Sequence, residues 1–410
     1  MLRLMAPSFP EAAGRWSALG ALAFAVVLAM APWFSAAAVL PQLRGVWTLT
    51  DAAASGLTLA VQLGFVAGAV LSAALNLADR VPPRRLILAG ALLAAGANLG
   101  LLWAGGPGPA AGLRGLTGAA LALVYPPALK AMSAWFRSGR GTALGVMVGA
   151  LTLGSALPHL VNGLGGADWR SVILITSGLA ALGGLIASRV EDGPHRFPAA
   201  PFRPGQAWQV LTGQGAGLAT LGYLGHMWEL YAMWAWFAAF FSEVLRTAGA
   251  ADPARGAALA TFAVVGVGAV GCWVGGLLGD RWGRTQLTTL AMGLSGACAL
   301  ALAGLADAAP GVVLALSLLW GFWIIADSAQ FSTIVSEIAD PAYIGTALTA
   351  QLALGFTLTA ASIALVPVLV RVGGWPLAFV VLAAGPLLGT VAMRRLARTP
   401  EAARIAGGRG

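Results

Sequence analysis

Ionisable groups are scarce in the apolar parts of this chain, so each one that occurs there is a candidate for chemistry. Glu229 lies in the middle of Gly222-Tyr223-Leu224-Gly225-His226-Met227-Trp228-Glu229-Leu230-Tyr231-Ala232-Met233-Trp234. Residues three, four and seven apart share a helix face. Glu229 therefore shares its face with Gly222, Gly225, His226, Ala232, Met233 and Trp236. Removing a carboxylate from water disfavours its charged form, which makes such a group suited to loading and unloading protons. Histidine is the side chain whose ordinary charge change falls near neutrality, which makes His226 a natural partner for such a group. The pair fits proton coupling or substrate binding, and equally a structural tether to another helix. Asp327, within Trp320-Gly321-Phe322-Trp323-Ile324-Ile325-Ala326-Asp327-Ser328-Ala329-Gln330, is a second buried acid with the same two readings. His159 follows Pro158, where it could bind substrate or satisfy a carbonyl freed by the proline. Gln62 and Gln351 are weaker candidates, because an amide often joins helices. Tyr125, Tyr223 and Tyr231 could offer hydroxyls to a ligand or simply pack.

These groups need a scaffold, and composition defines its class. Hydrophobic residues make up 59% of the 410, charged residues 10%, and the mean hydropathy is +0.82. Soluble domains carry about 25% charged residues, so the chain is read as an integral membrane protein. Its length leaves room for about a dozen spans of roughly 20 residues. Apolar runs lie near 17–40, 54–76, 85–104, 110–133, 141–163 and 170–188. A second set lies near 214–241, 257–279, 286–305, 311–334, 345–369 and 375–393. The first run resembles a signal peptide but is long enough to span, and is read as an uncleaved first helix. Residues 189–213 hold charges and several prolines, the mark of a linker. The expected division is a six-helix half over 1–188, the linker, a second half over 214–394, and a tail over 395–410. Basic residues gather in alternate loops, which places the linker and both termini in the cytoplasm. The net charge of +9 thus reads as topology rather than nucleic-acid binding. Cys272 and Cys298 both lie in apolar runs, where neither a disulfide framework nor a zinc site is expected.

Between two runs stands Gly276-Leu277-Leu278-Gly279-Asp280-Arg281-Trp282-Gly283-Arg284, and 201 residues before Asp280 a worn copy, Asp79-Arg80-Val81-Pro82-Pro83-Arg84-Arg85. Gly141-Thr142-Ala143-Leu144 recurs 204 residues later as Gly345-Thr346-Ala347-Leu348, and Trp169 recurs 206 later as Trp375. The chain is therefore two copies of one design. The paired loops resemble the signature loops of the major facilitator superfamily, and the likeness covers essentially the whole chain. It implies an all-α membrane protein with twelve transmembrane helices in two six-helix pseudo-symmetric halves. The halves of that family rock around a midplane site, giving alternating access. Asp79, Arg80, Arg84, Gly276, Asp280, Arg281, Gly283 and Arg284 would then form conformational latch loops. Helices one, four, seven and ten line the family's cavity, which places Arg114, Glu229 and Asp327 on three of the four. Arg114, in Arg114-Gly115-Leu116-Thr117-Gly118, is similar to the family's fourth-helix arginine, tied to proton coupling or anion contact. Its alternative is an arginine snorkelling to the surface. Gly145 and Gly154 resemble the fifth-helix motif of the family's exporters, but Pro158-His159 stands where a Gly-Pro pair is usual.

No nucleotide loop, nucleophile elbow or metalloprotease motif occurs in the sequence, so no enzyme, cofactor or metal is expected. The expected function is proton-coupled secondary transport of a small solute by a monomer in a lipid bilayer, of the bacterial inner-membrane kind. Arg114, His159 and His226 favour uptake of a small organic or inorganic anion. The aromatics from Trp228 to Phe237 suit an exported drug or metabolite instead. A non-transporting sensor or assembly factor on the same scaffold is a third class.

Overall fold

The protein is described by a computed structural model that covers residues 12–136, 139–165, 168–195, 213–339 and 344–409, without the side chain of Asp79. Most of the expected linker, residues 196–212, lies outside the described residues.

In hydrocarbon every backbone amide must be bonded within the protein, and a helix achieves this within one segment. Eight helices among the described residues are long and apolar enough to span. In chain order, α1 is made of Arg15–Ala29, Ser35–Ala38 and Leu40–Trp47; α2 is Asp51–Ala74 and α3 is Pro83–Trp103. Helix α4 consists of Pro107–Leu121 and Tyr125–Ser133, and α5 and α6 are Arg140–Gly165 and Trp169–Ala187. The second half begins with α7, Gln214–Thr247, then α8, Pro253–Trp282, and α9, Arg284–Leu305. Helix α10 is Pro310–Ala326 continued by Ser328–Ile338. The helical stretch Ile344–Leu396 breaks at Gly373 and Gly374, which separates α11 (344–372) from α12 (375–396). Gly374 takes φ 68°, a left-handed geometry that glycine adopts without a Cβ clash. Twelve spans result among the described residues, at the positions the apolar runs predict.

The two halves repeat at the level of atoms. Gly118 of α4 packs so closely on the Val61 carbonyl of α2 that a Cβ has no room; Gly321 of α10 does the same on the Val264 carbonyl of α8. Both partners are displaced by the same 203 residues (118 to 321, 61 to 264). Pro107 and Pro310, which open α4 and α10, keep that displacement too. Proline suits a first helical turn, where its missing N–H has no partner to lose. Gly118→Val and Gly321→Val are each expected to cost about 1–3 kcal/mol or more, because the obstacle is backbone and cannot rotate away. Thermal unfolding of the purified protein measures this. Two unequal losses would show that the halves do not share this packing.

The halves touch at both ends and in the middle. Along the seam of α5 and α8, Gly145 packs on the Cys272 carbonyl, Gly149 on Ala269 and Gly163 on Leu259. At one end Arg371 of α11 meets Asp51 of α2 at 3.1 Å, and Arg255 of α8 donates to the Gly163 carbonyl at 3.1 Å. At the other end, which also carries the two ends of the described chain, the Asp280 carboxylate lies against Gly141 at the start of α5. The unbonded amides of a helix start favour a negative charge there.

Candidate functional site

Helix α7 carries His226 and Glu229 on one face, one turn apart, and both are buried. Ser295 of α9 donates its hydroxyl to one Glu229 oxygen at 2.6 Å, and the Trp320 indole of α10 donates to the other at 2.9 Å. Asp327 occupies the single-residue interruption of α10, so its side chain leaves the helix where the regular ladder stops. It stands 2.9 Å from His226 Nδ1, without the alignment of a hydrogen bond. Glu229, His226 and Asp327 are 1%, 2% and 1% exposed. Among the described residues, no arginine or lysine forms an ion pair with any of them. Two carboxyls and one imidazole are therefore buried together without a fixed positive charge, an arrangement suited to exchanging protons because isolated buried charge is costly. The structure thus joins three predicted residues into one cluster inside the second half. Ser295 and Trp320 escaped sequence reasoning, since a hydroxyl or indole in a span carries no charge signal.

Arg114 does not snorkel. It is buried and reaches across to the interruption of α1 between Ala29 and Ser35, where the backbone leaves its regular helical ladder. Arg114 donates to the Pro32 carbonyl at 2.7 Å, to the Trp33 carbonyl, to Ser35 Oγ at 3.1 Å and to Asn98 Oδ1 at 3.3 Å. Asn98 of α3 in turn donates to Ser177 Oγ of α6 at 2.9 Å. The guanidinium therefore ties α4 to α1 and, through Asn98, to α3 and α6.

Between the halves lies an aromatic partition. Trp33, projecting from the α1 interruption, packs on Phe65 of α2 at 5.0 Å, on Phe356 of α11 at 5.7 Å and on Tyr231 of α7 at 6.0 Å. Phe65 meets Phe356 at 4.9 Å, and Phe34 meets Trp234 at 5.9 Å. Gln62, one turn before Phe65, is fully buried, and neither amide atom has a partner. Gln351 Nε2, His159 Nδ1 and Trp33 Nε1 are likewise buried and unpartnered. Buried polar groups are nearly always bonded, so such orphans call for an explanation. Tyr223 stacks near His226 at 6.2 Å, and Tyr125 starts the second part of α4, directly after its own interruption.

At the end carrying the chain termini, Arg284 is the hub. It holds Glu337 through two nitrogens, with distances of 2.9 to 3.1 Å, Asp280 at 3.2 Å and Gln330 Oε1 at 2.8 Å. Glu337 also accepts the Ala406 N–H at 2.9 Å, so the turn Pro400–Gly407 is packed onto this corner with Ile405 buried. Arg281, expected in the same latch, is exposed instead. Gly276 packs against Gly141, and Gly283 against the Arg409 carbonyl. In the first half Arg80 is exposed and Arg84 half-buried; the Asp79 side chain lies outside the described residues. Arg284→Ala is expected to destabilise the fold by about 1–3 kcal/mol, because two acids lose their counter-charge. Arg284→Lys recovers only part of this, since a point charge cannot replace a bidentate fork. Equal thermal midpoints for Arg284→Lys and the parent protein would refute the fork's role.

Two six-helix halves that repeat each other around an interhelical seam define a membrane transporter scaffold. Residues 22–362 match the family described as Major Facilitator Superfamily, and the chain belongs to that family of secondary transporters. Among solved structures, it is similar to one described as the crystal structure of a D-xylose-proton symporter. The TM-score is 0.72 with 17% identity, over 95% of this chain and 99% of that one. Comparison with curated protein sequences finds no match.

Proposed function

We propose that this chain couples protons to the movement of a small solute across a membrane by alternating access. The observation that carries this reading is the buried Glu229, His226 and Asp327 cluster, two acids and an imidazole with no fixed cation among the described residues. The name of the similar solved structure pairs a proton with its solute, which fits that chemistry. Solute binding belongs at the partition between the halves, where Gln62 and Trp33 hold unused hydrogen-bonding groups beside aromatic faces, with Gln351 on α11 and His159 on α5 as further buried, unpartnered groups. A small polar solute stacked on Trp33 or Tyr231 would use both. An anion would rely on His159 and His226, because the Arg114 fork is already occupied by carbonyls. Asp280, Arg284 and Glu337 serve as the latch that holds the termini end closed. In this reading both termini face the cytoplasm of a bacterial inner membrane, which the arginine-rich loops and tail favour, and the protein works as a monomer.

The test is a thermal-shift screen of purified protein against small anions, sugars, amino acids and hydrophobic cations. A ligand that binds only the folded state raises the midpoint by mass action. The hit is then followed in proteoliposomes under an imposed pH gradient. Accumulation driven by the gradient supports the reading, and transport indifferent to pH overturns it. The aromatic partition favours one second reading, export of an apolar cation. A hit among hydrophobic dyes, with resistance on overexpression, would establish that direction.

A further inference from the structure

At the termini end of the second half, α9 and α12 diverge and leave a groove of about 730 Å³. Arg394, in the last turn of α12, and Arg398, just after its end, line the groove with Gln286, Leu290, Gly293 and Leu294. Arg394 and Arg398 are exposed, and neither makes an ion pair or side-chain hydrogen bond among the described residues. Of the nearby acids, Asp280 and Glu337 face Arg284, while Glu401 lays its aliphatic stem against Gly215 and forms no ion pair with Arg394 or Arg398 among the described residues. A second groove of about 550 Å³ on the other side of α12, against Gln214 and Leu221, is lined by Arg395 and again Arg398.

The position of these arginines fixes the depth. They directly follow the last apolar stretch of α12, where a span meets the headgroup layer. Below them the surface is hydrocarbon-facing, with Leu290, Leu387 and Leu388 at 39%, 43% and 71% exposure. At Gly293 the floor is open, and a Cβ there would meet nothing within 4 Å. A free phosphate would use the guanidinium pair but leave the apolar channel beneath it empty. A diacyl lipid fills both, and basic pockets between helices at the cytoplasmic face are known to take anionic headgroups.

We propose that the groove between α9 and α12 binds one anionic phospholipid, its phosphodiester held by Arg394 and Arg398 and an acyl chain lying over Gly293. Gln286 is placed to donate to the glycerol or headgroup oxygens. The site is separate from the buried cluster and from the partition, so it does not depend on the transport reading.

The test is native mass spectrometry of the delipidated full chain titrated with phosphatidylglycerol and, separately, with phosphatidylcholine. One saturable phosphatidylglycerol adduct is expected, with phosphatidylcholine bound about tenfold more weakly. Arg398→Gln should weaken the adduct by a similar factor. Arg189→Gln removes the same charge from an exposed position outside the groove and should leave the adduct intact. Gly293→Leu fills the floor at unchanged charge and should also abolish it. If Gly293→Leu retains the adduct, or Arg189→Gln weakens it as much as Arg398→Gln, the lipid is held by diffuse charge and the proposal fails. Competition by millimolar inorganic phosphate would reassign the groove to a free anion. The two groove variants act through different atoms, so misfolding of one leaves the other as a complete test.

Discussion

Glu229→Gln is expected to abolish solute accumulation driven by a pH gradient while leaving a folded protein. One pH unit supplies about 1.4 kcal/mol per coupled proton, or about a tenfold concentration ratio. With glutamine at 229 that ratio should fall to about one, although counterflow down a solute gradient continues. The amide preserves the shape of the site. Its oxygen can still accept from the Trp320 indole, and its NH₂ can donate to Ser295 Oγ, because a hydroxyl accepts as well as donates. Both contacts can therefore be kept, and the thermal midpoint should stay close to that of the parent protein. Gradient-driven uptake at the parent rate in Glu229→Gln would remove Glu229 from the coupling step. The same assay on Asp327→Asn and His226→Gln then tests whether the cluster acts as one unit. If all three carry a shared proton, their effects should be far from additive.

The second large effect is structural. Arg114→Met should destabilise the protein by about 1–3 kcal/mol, since it orphans the Trp33 carbonyl, while the Pro32 carbonyl keeps the Ser35 N–H and hydroxyl. Lysine at 114 should recover only part of the loss, because a single nitrogen cannot span two carbonyls and Asn98 together. The measurement is the thermal midpoint together with the yield of monodisperse protein. A methionine variant that melts with the parent protein but no longer binds solute would overturn the tether and restore the anion contact.

The contrast between these two residues shows what the sequence could reveal. Glu229, His226 and Asp327 stood out because a charge within an apolar run has few reasons to be there. That His226 meets Asp327, 101 residues further along the chain, is a matter of helix packing, which no local pattern records. Arg114 stood out for the same reason as Glu229, but its role depends on the interruption of α1. Pro32 alone does not announce that interruption, because prolines also sit in spans that stay helical, as Pro158 does in α5. The repeat was legible in Gly141-Thr142-Ala143-Leu144 and in the paired loops. The tighter repeat of Gly118 on Val61 and Gly321 on Val264 was not, since only glycine spacing hints at it and glycines are abundant here. At the latch the sequence drew attention to Arg281 and Arg284 alike. Facing was decided by the corner at Gly283, which turns Arg284 inward and Arg281 out. Glu337 and Gln330, its main partners, lie on α10 and carried no motif.

The docking of Pro400–Gly407 on Glu337 has a practical consequence for anyone handling this protein. A purification tag or fluorescent fusion appended after this turn would pull on the corner where α8 meets α9, not dangle freely. A cleavable tag at the other terminus is the safer choice for transport assays. The same geometry offers a sensor: a small environment-sensitive dye on a cysteine introduced at Arg409, with Cys272 and Cys298 buried and unreactive by comparison, would sit against Gly283. Its emission would change when that corner opens, giving a signal for each turn of the cycle without a labelled solute.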